Sequence, residues 1–213
     1  MPLQNRVTPL GALIATPERG TLMGNRGVLH DHDRRIRRDW VLKRWIFCVL
    51  EFKGRSRKVM TPGRYTELFF LDEATSLAAG HRPCAECKRT RYNEYRDAWA
   101  KGNPQALTSG RFSAELIDDW LHADRLDPSR SKRFFTAELD TLPDGVFVTL
   151  ETAPDQALVI HGDSLLAWSA GGYRKRLNRK TRQVVSVLTP RSTVAAIQAG
   201  FAPEIHPSGH EVR

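Results

Sequence analysis

The sequence predicts an α+β fold: a β-rich N-terminal part, a helical middle and a small mixed sheet at the C-terminal end. Three observations predict it. Up to about residue 70 the apolar runs are short, rich in aromatic and branched residues, and broken by Gly and Pro. Between 72 and 126, three segments carry helix start and stop residues. From 146 to 189 short strand-like runs return, and a last helix follows them.

Taken in order, "TLMGNRGVLHD" (21–31) sets G-N-R-G between apolar runs and reads as a hairpin. "RWIFCVLEF" (44–52) reads as a central strand. "GRSRK" (54–58) is the turn into "VMTPGRYTELFF" (59–70), bent at Pro62-Gly63. "DEATSLAA" (72–79) is a short helix with acids in its first turn and Gly80 as its stop. "CKRTRYNEYRDAWAKGN" (87–103) is a second helix, whose Tyr92, Tyr95 and Trp99 form an apolar stripe that packs inward. "SAELIDDWLHADRL" (113–126) is a third, capped by Ser113. Pro128 opens a basic connection, which divides the chain into 1–127 and 128–213. Strands follow at 146–151, 157–162, 165–169 and 183–189, then a helix at 190–200 closed by Gly200.

At 213 residues with 40% hydrophobic content, the chain buries a real core. No apolar run approaches the ~18 residues of a membrane span, and no compact apolar segment with a cleavage site opens the sequence. Three cysteines are too few for a disulfide framework and favour a reducing compartment. The expectation is a soluble cytoplasmic protein without membrane contact.

Charge narrows the partner. Lys and Arg outnumber Asp and Glu by 33 to 24, giving +9 and a pI near 9.9. The excess is clustered: Arg34, Arg35, Arg37 and Arg38, on through Lys43 and Arg44; then 53–58; Lys88 and Arg89; 129–133; and Arg174, Lys175, Arg176, Arg179 and Lys180. Such clusters suit a phosphate-tracking surface, and the expected partner is nucleic acid. The bland alternative is a set of solvated loops.

Cys84 and Cys87 stand at C-x-x-C spacing in "LAAGHRPCAECKR" (77–89), after a helix stop. A redox pair is open to such a motif, and the nearby cations lower thiol pKa values. A metal knuckle suits the spacing better, because two thiolates three positions apart can enter one tetrahedral zinc site. The stretch "RYTELFFLDEATSLAAGHRPCAEC" (64–87) resembles the second half of the zinc-binding domain of the bacterial Ada methylphosphotriester DNA-repair family, on the pattern A-A-G-x-R-P-C-x-x-C. The resemblance implies an Ada-like zinc-knuckle and helical domain over 1–127, a four-ligand Zn2+ site with Cys84 and Cys87 as its later pair, and contact with DNA ahead of RNA. It departs from that family at the earlier pair: Cys48 falls where the first cysteine belongs, and Phe52 where the second does. Methyl-acceptor chemistry is therefore not expected. His30 is preferred over His32 as the missing ligand, giving a Cys3His site of Cys48, Cys84, Cys87 and His30; His81 would strain the knuckle.

Other constellations carry competing chemistry. "LHDHD" (29–33) gathers His30, Asp31, His32 and Asp33, residue types that a hydrolytic metal centre uses. At strand spacing, however, its histidines and aspartates face opposite ways. Arg64, Tyr65 and Glu67, and Glu51, Lys53 and Arg55, offer acid–base pairs or merely a polar strand face. Thr189, Arg191, Ser192 and Thr193 mark a strand-to-helix turn that suits either a phosphate or an ordinary cap. No Walker loop, dinucleotide fingerprint or nucleophile–base arrangement is present. The leading reading is a zinc-containing nucleic-acid-binding protein in DNA repair or processing. The alternatives are a metal-dependent nuclease or other phosphodiester-acting enzyme using 30–33, and a non-catalytic zinc-stabilised scaffold.

Overall fold

A computed structural model describes residues 1–54, 58–109 and 112–212 as an α+β fold with two sheets. The first contains β1 (Gln4–Val7), β2 (Leu13–Ala15), β3 (Leu22–Asn25), β4 (Ile46–Cys48), β5 (Leu68–Phe70) and β6 (Arg82–Pro83), in the order β2-β1-β5-β3-β4-β6. The β1–β5 and β4–β6 pairs are parallel and the others antiparallel. The hairpin expected at G-N-R-G does not form, because β3 pairs with β4 and β5 instead. Gly24 explains the choice: a Cβ there would meet the Ile46 carbonyl oxygen at 2.2 Å, so the missing side chain admits the neighbouring backbone.

Helix α1 (Glu73–Ala78) starts where Asp72 Oδ1 accepts the Thr75 N–H at 2.8 Å. It stops at Gly80, whose φ of +86° places it in the left-handed region. Helix α2 (Arg89–Gly102) buries Tyr92, Tyr95 and Trp99, as the stripe predicts. Helix α3 (Ala114–Arg125) has Ser113 as its cap.

The second sheet holds β7 (Phe135–Glu138), β8 (Phe147–Leu150), β9 (Ala153–His161), β10 (Ser164–Ser169), β11 (Gly172–Asn178) and β12 (Val184–Val187), in the order β11-β10-β9-β8-β12-β7 and antiparallel throughout. Strand β11 contains the start of the basic run 173–182; Arg174 and Lys175 are exposed on this edge strand, where charge discourages pairing with another chain. Helix α4 (Arg191–Gln198) packs on α2 and is joined to it by Tyr95 Oη and Thr193 Oγ1 at 3.1 Å. A short α5 (Ser208–Glu211) follows. One apolar cluster joins Phe47 and Leu68 of the first sheet, Trp99 and Leu121 of the helices, and Val148 and Val187 of the second sheet, so the core continues past residue 128.

Two acids at the head of α1 bind the parts together. Asp72 Oδ2 accepts the Tyr173 hydroxyl at 2.7 Å and the His206 N–H at 2.9 Å. Glu73, 1% exposed, pairs with Lys88 Nζ at 2.8 Å and Arg91 Nη2 at 2.5 Å, fastening the start of α2. Burial alone would raise the Glu73 carboxyl, but the hydrogen bonds from Arg91 and Lys88 hold it below its ordinary 4.5. A depressed carboxyl stabilises the fold above the unfolded value, and that contribution is lost as pH falls through the folded one. Glu73→Gln should cost about 3–5 kcal/mol in urea unfolding at neutral pH, since it leaves two cations beside a neutral group. It should also flatten the fall in stability that the natural chain shows on acidification below 4.5.

Candidate metal centre

Strand β6 enters the sheet parallel to β4, with Ile46 opposite Arg82 and Phe47 opposite Pro83. The Cys84 N–H then donates to the Phe47 carbonyl at 2.9 Å, which carries Cys84 alongside Cys48. Arg82 locks this placement onto α3. Its Nε and Nη2 donate to Asp118 Oδ1 and Oδ2 of α3, each at 2.8 Å, with both side chains buried.

The result is a group of three sulfurs: Cys48, Cys84 and Cys87 Sγ lie within 4.8 Å of one another. Backbone N–H groups support the thiolates, Glu86 N lying 3.4 Å from Cys84 Sγ. The Cys87 N–H also serves Cys84, and the Val49 N–H serves Cys87. A hydrogen bond from the Cys48 thiol, aided by these N–H groups, brings Cys84 down to about 5, and the same thiol lowers Cys87. Cys48 is correspondingly pushed up by the two sulfurs that accept from it. The donor set fits zinc: Zn–S bonds of ~2.3 Å put tetrahedral sulfurs about 3.8 Å apart, and thiolates select soft or borderline metals over magnesium or calcium. Three cysteines supply three ligands; among the described residues no His, Asp or Glu joins them.

His30, expected as the fourth ligand, is not in this group. It is 6% exposed, with Nδ1 2.6 Å from Thr66 Oγ1 and Nε2 3.3 Å from the Thr61 carbonyl oxygen. The expectation rested on a hairpin that does not form; the chain after β3 closes instead on its own turn at 31–35. There Asp31 Oδ1 accepts the Asp33 and Arg35 N–H groups and Oδ2 accepts Arg37 Nε, while His32 and Asp33 are exposed, so 30–33 forms no convergent centre. Glu67 accepts the Met60 N–H at 2.8 Å; Glu51, Lys53, Arg64 and Tyr65 are exposed, and Arg55 lies outside the described residues. At the last strand-to-helix turn, Thr189 Oγ1 accepts the Phe147 N–H, and the Ser192 N–H already donates to Asp124 Oδ2 at 2.8 Å.

The basic residues divide into two groups. Arg34, Arg35, Arg37, Arg38, Arg89, Arg174, Lys175 and Lys180 are exposed. Lys88 is drawn onto Glu73. Arg176 straps the carbonyls of Gly209 and Val212, and Arg179 those of Leu139 and Leu142. Those three cations hold the fold together.

Two loops share one design. In each, an aspartate (Asp31, Asp127) accepts with its Oδ1 the N–H four residues on (Arg35, Ser131) at 3.0 Å. Its carbonyl accepts the N–H three residues on, and a bridge closes the loop, His30 to Ile36 and Leu126 to Lys132. The fourth residue is left-handed and is arginine both times: Arg34 at φ 60° and Arg130 at φ 69°. Arg130 lies 4.5 Å from the Trp40 ring, in a cleft of about 400 Å³ that His122, Pro128 and Arg133 also line. Sequence reading did not single out Trp40 or this repeat, although D-x-x-R occurs at both places.

No helix among the described residues is long and apolar enough to cross a membrane. The chain matches no protein-family model, no curated protein and no solved structure. Elemental analysis should find one thiophilic metal ion per chain. Cys48→Ser and Cys84→Ser should each lose most of it, whereas His30→Ala should keep it, because His30 is bonded to threonine oxygens.

Proposed function

We propose that this protein binds nucleic acid through its outward arginines and lysines, with the three cysteines holding a structural zinc, and that it acts in DNA repair or processing. The observation that carries the reading is the pair of matching loops that present Arg34 and Arg130. A left-handed backbone costs a side-chain-bearing residue ~1 kcal/mol, and glycine or asparagine would relieve it. Arg34 stands exposed and Arg130 lies exposed over the Trp40 ring, so both loops hold a guanidinium where a phosphate can reach it, and strained backbone tends to gather at functional sites. Trp40 beside Arg130 and Arg133 adds an aromatic face of the kind on which unpaired bases stack. DNA is preferred to RNA on the likeness of 64–87 to the Ada-type module. In this reading zinc serves placement: bound by Cys48, Cys84 and Cys87, it pins the start of α2 to β4, and Arg89 projects from that helix.

The test is fluorescence anisotropy with labelled single- and double-stranded DNA and RNA over a range of sodium chloride concentrations. Affinity should fall linearly on log–log axes, and the R34G/R130G double variant should reduce the slope by about 0.9 for each phosphate that is no longer neutralised. Its unfolding free energy should stay within ~1 kcal/mol of the natural chain, since relief of strain offsets the added freedom of the unfolded state. No binding at about 50 mM salt, where phosphate-driven association is strong, would rule the reading out. So would a slope unchanged by the double substitution.

A further inference from the structure

A second cluster of charge lies beneath α1, enclosed by protein. Arg26 is 2% exposed, Arg125 1% and His81 0%. Both guanidinium carbons sit 4.0 Å from the centre of the Trp45 ring, and His81 packs on the same ring at 5.2 Å between centroids. Lys132 reaches in from the loop that presents Arg130, its Nζ 2.6 Å from the Ala78 carbonyl oxygen.

The hydrogen bonds of these cations go to neutral groups. Arg26 donates through Nη1 to the Gly11 and Asp39 carbonyls and through Nε to His81 Nε2. Arg125 donates to the Gly80 and Lys43 carbonyls and lies beside His122 Nδ1. Among the described residues no carboxylate forms an ion pair with Arg26, Arg125 or Lys132. Asp118, the acid whose field acts on Arg125, is already committed to Arg82 at both oxygens, and the carboxylate of exposed Asp39 acts on Arg26 only through space.

Two buried guanidinium nitrogens here have no hydrogen-bond partner among the described residues, Arg26 Nη2 and Arg125 Nε, while the His81 ring N–H has only the Ser76 carbonyl to face. Both are donors, as is the His81 N–H. Because His81 Nε2 accepts from Arg26 Nε, the neutral ring carries its hydrogen on Nδ1. Unpaired buried donors of this kind call for an explanation, and buried charge calls for a counter-charge. Burial lowers both guanidiniums to about 9 and the Lys132 ammonium to about 7, with mutual repulsion adding to the effect on Arg125 and Lys132.

We infer that Arg26, His81, Arg125 and Lys132 form a buried binding site for one small inorganic anion of about the size of chloride, which takes up the unpaired N–H groups and neutralises the cluster. The burial of Arg26, His81 and Arg125 excludes the phosphate of a polymer, so the site is separate from the exposed arginines. It is also separate from the three cysteines.

The experiment follows thermal unfolding of the full chain in gluconate medium as chloride replaces gluconate at constant ionic strength, and adds anomalous diffraction from a crystal soaked in bromide. Chloride should raise the midpoint saturably, by roughly 3–6 °C once it is tenfold above its dissociation constant. A bromide peak should lie between Arg26 Nη2 and Arg125 Nε. Lys132→Met should raise the midpoint in gluconate by removing repulsion, and should weaken half-saturation by chloride roughly tenfold. A midpoint indifferent to chloride overturns the inference, as does a water in place of bromide. So does a Lys132→Met variant that is less stable in both media, because Lys132 would then act only as a cap on the Ala78 carbonyl.

Discussion

The pairing of a two-residue strand, β6, with β4 is the constraint from which the centre of this molecule follows. It fixes Cys84 beside Cys48, and from there the C-x-x-C turn delivers Cys87 and the start of α2. So short a strand cannot hold its own register, since two residues bring few ladder bonds and little buried area. Arg82 supplies what is missing. Its fork grips both oxygens of Asp118, a bidentate geometry that tolerates little sliding. The sulfur group is thus assembled by backbone pairing, while a charged pair to α3 sets the alignment. A buried pair of this kind is weak evidence for stability and better evidence for specifying one arrangement.

The same region shows how a sequence rich in arginine divides its cations between inside and outside. Arg26, Arg82 and Arg125 are buried, and Arg176 and Arg179 strap carbonyls. Guanidinium suits this use because it spreads its charge, stacks on Trp45 and offers several donors to main-chain oxygens. Net charge alone therefore overstates the cationic surface. The cations left facing solvent lie in loops, as at 34–38, and also on α2 and β11.

What was legible in the sequence followed from local rules. Ser113, Gly80, the acids of 72–73 and the Tyr92–Trp99 stripe marked their helices because caps, stops, charge and periodicity act within a few residues, although Asp72 proves to be the cap and not a first-turn residue. The C-x-x-C pair was legible for the same reason, and Cys48 through likeness to another sequence. Strand partners were not, because pairing depends on contacts between distant residues: Gly24 looked like part of a turn, and only the approach of Ile46 shows why it is glycine. His30 was misplaced by that same error. Strand β11 was hidden by charge, since an edge strand carries polar residues that resemble a loop, and β7 by its shortness directly after the basic run 129–133. The twin aspartate loops escaped notice because their likeness lies in hydrogen bonds and in one φ angle.

The three cysteines also have a mechanical meaning. They join residue 48 to residues 84 and 87 across a long excursion that includes β5 and α1, so a bound ion would act as a cross-link closing that loop. Closing a loop of this length removes roughly 4 kcal/mol of unfolded-state entropy, comparable to a disulfide, yet a chelator can undo it in a reducing medium. Glu73 holds α2 through Lys88 and Arg91 without any help from sulfur. Metal loss would then release a hinge at the edge of one sheet and leave the rest of the core closed, so that the metal sets the amplitude of a local opening.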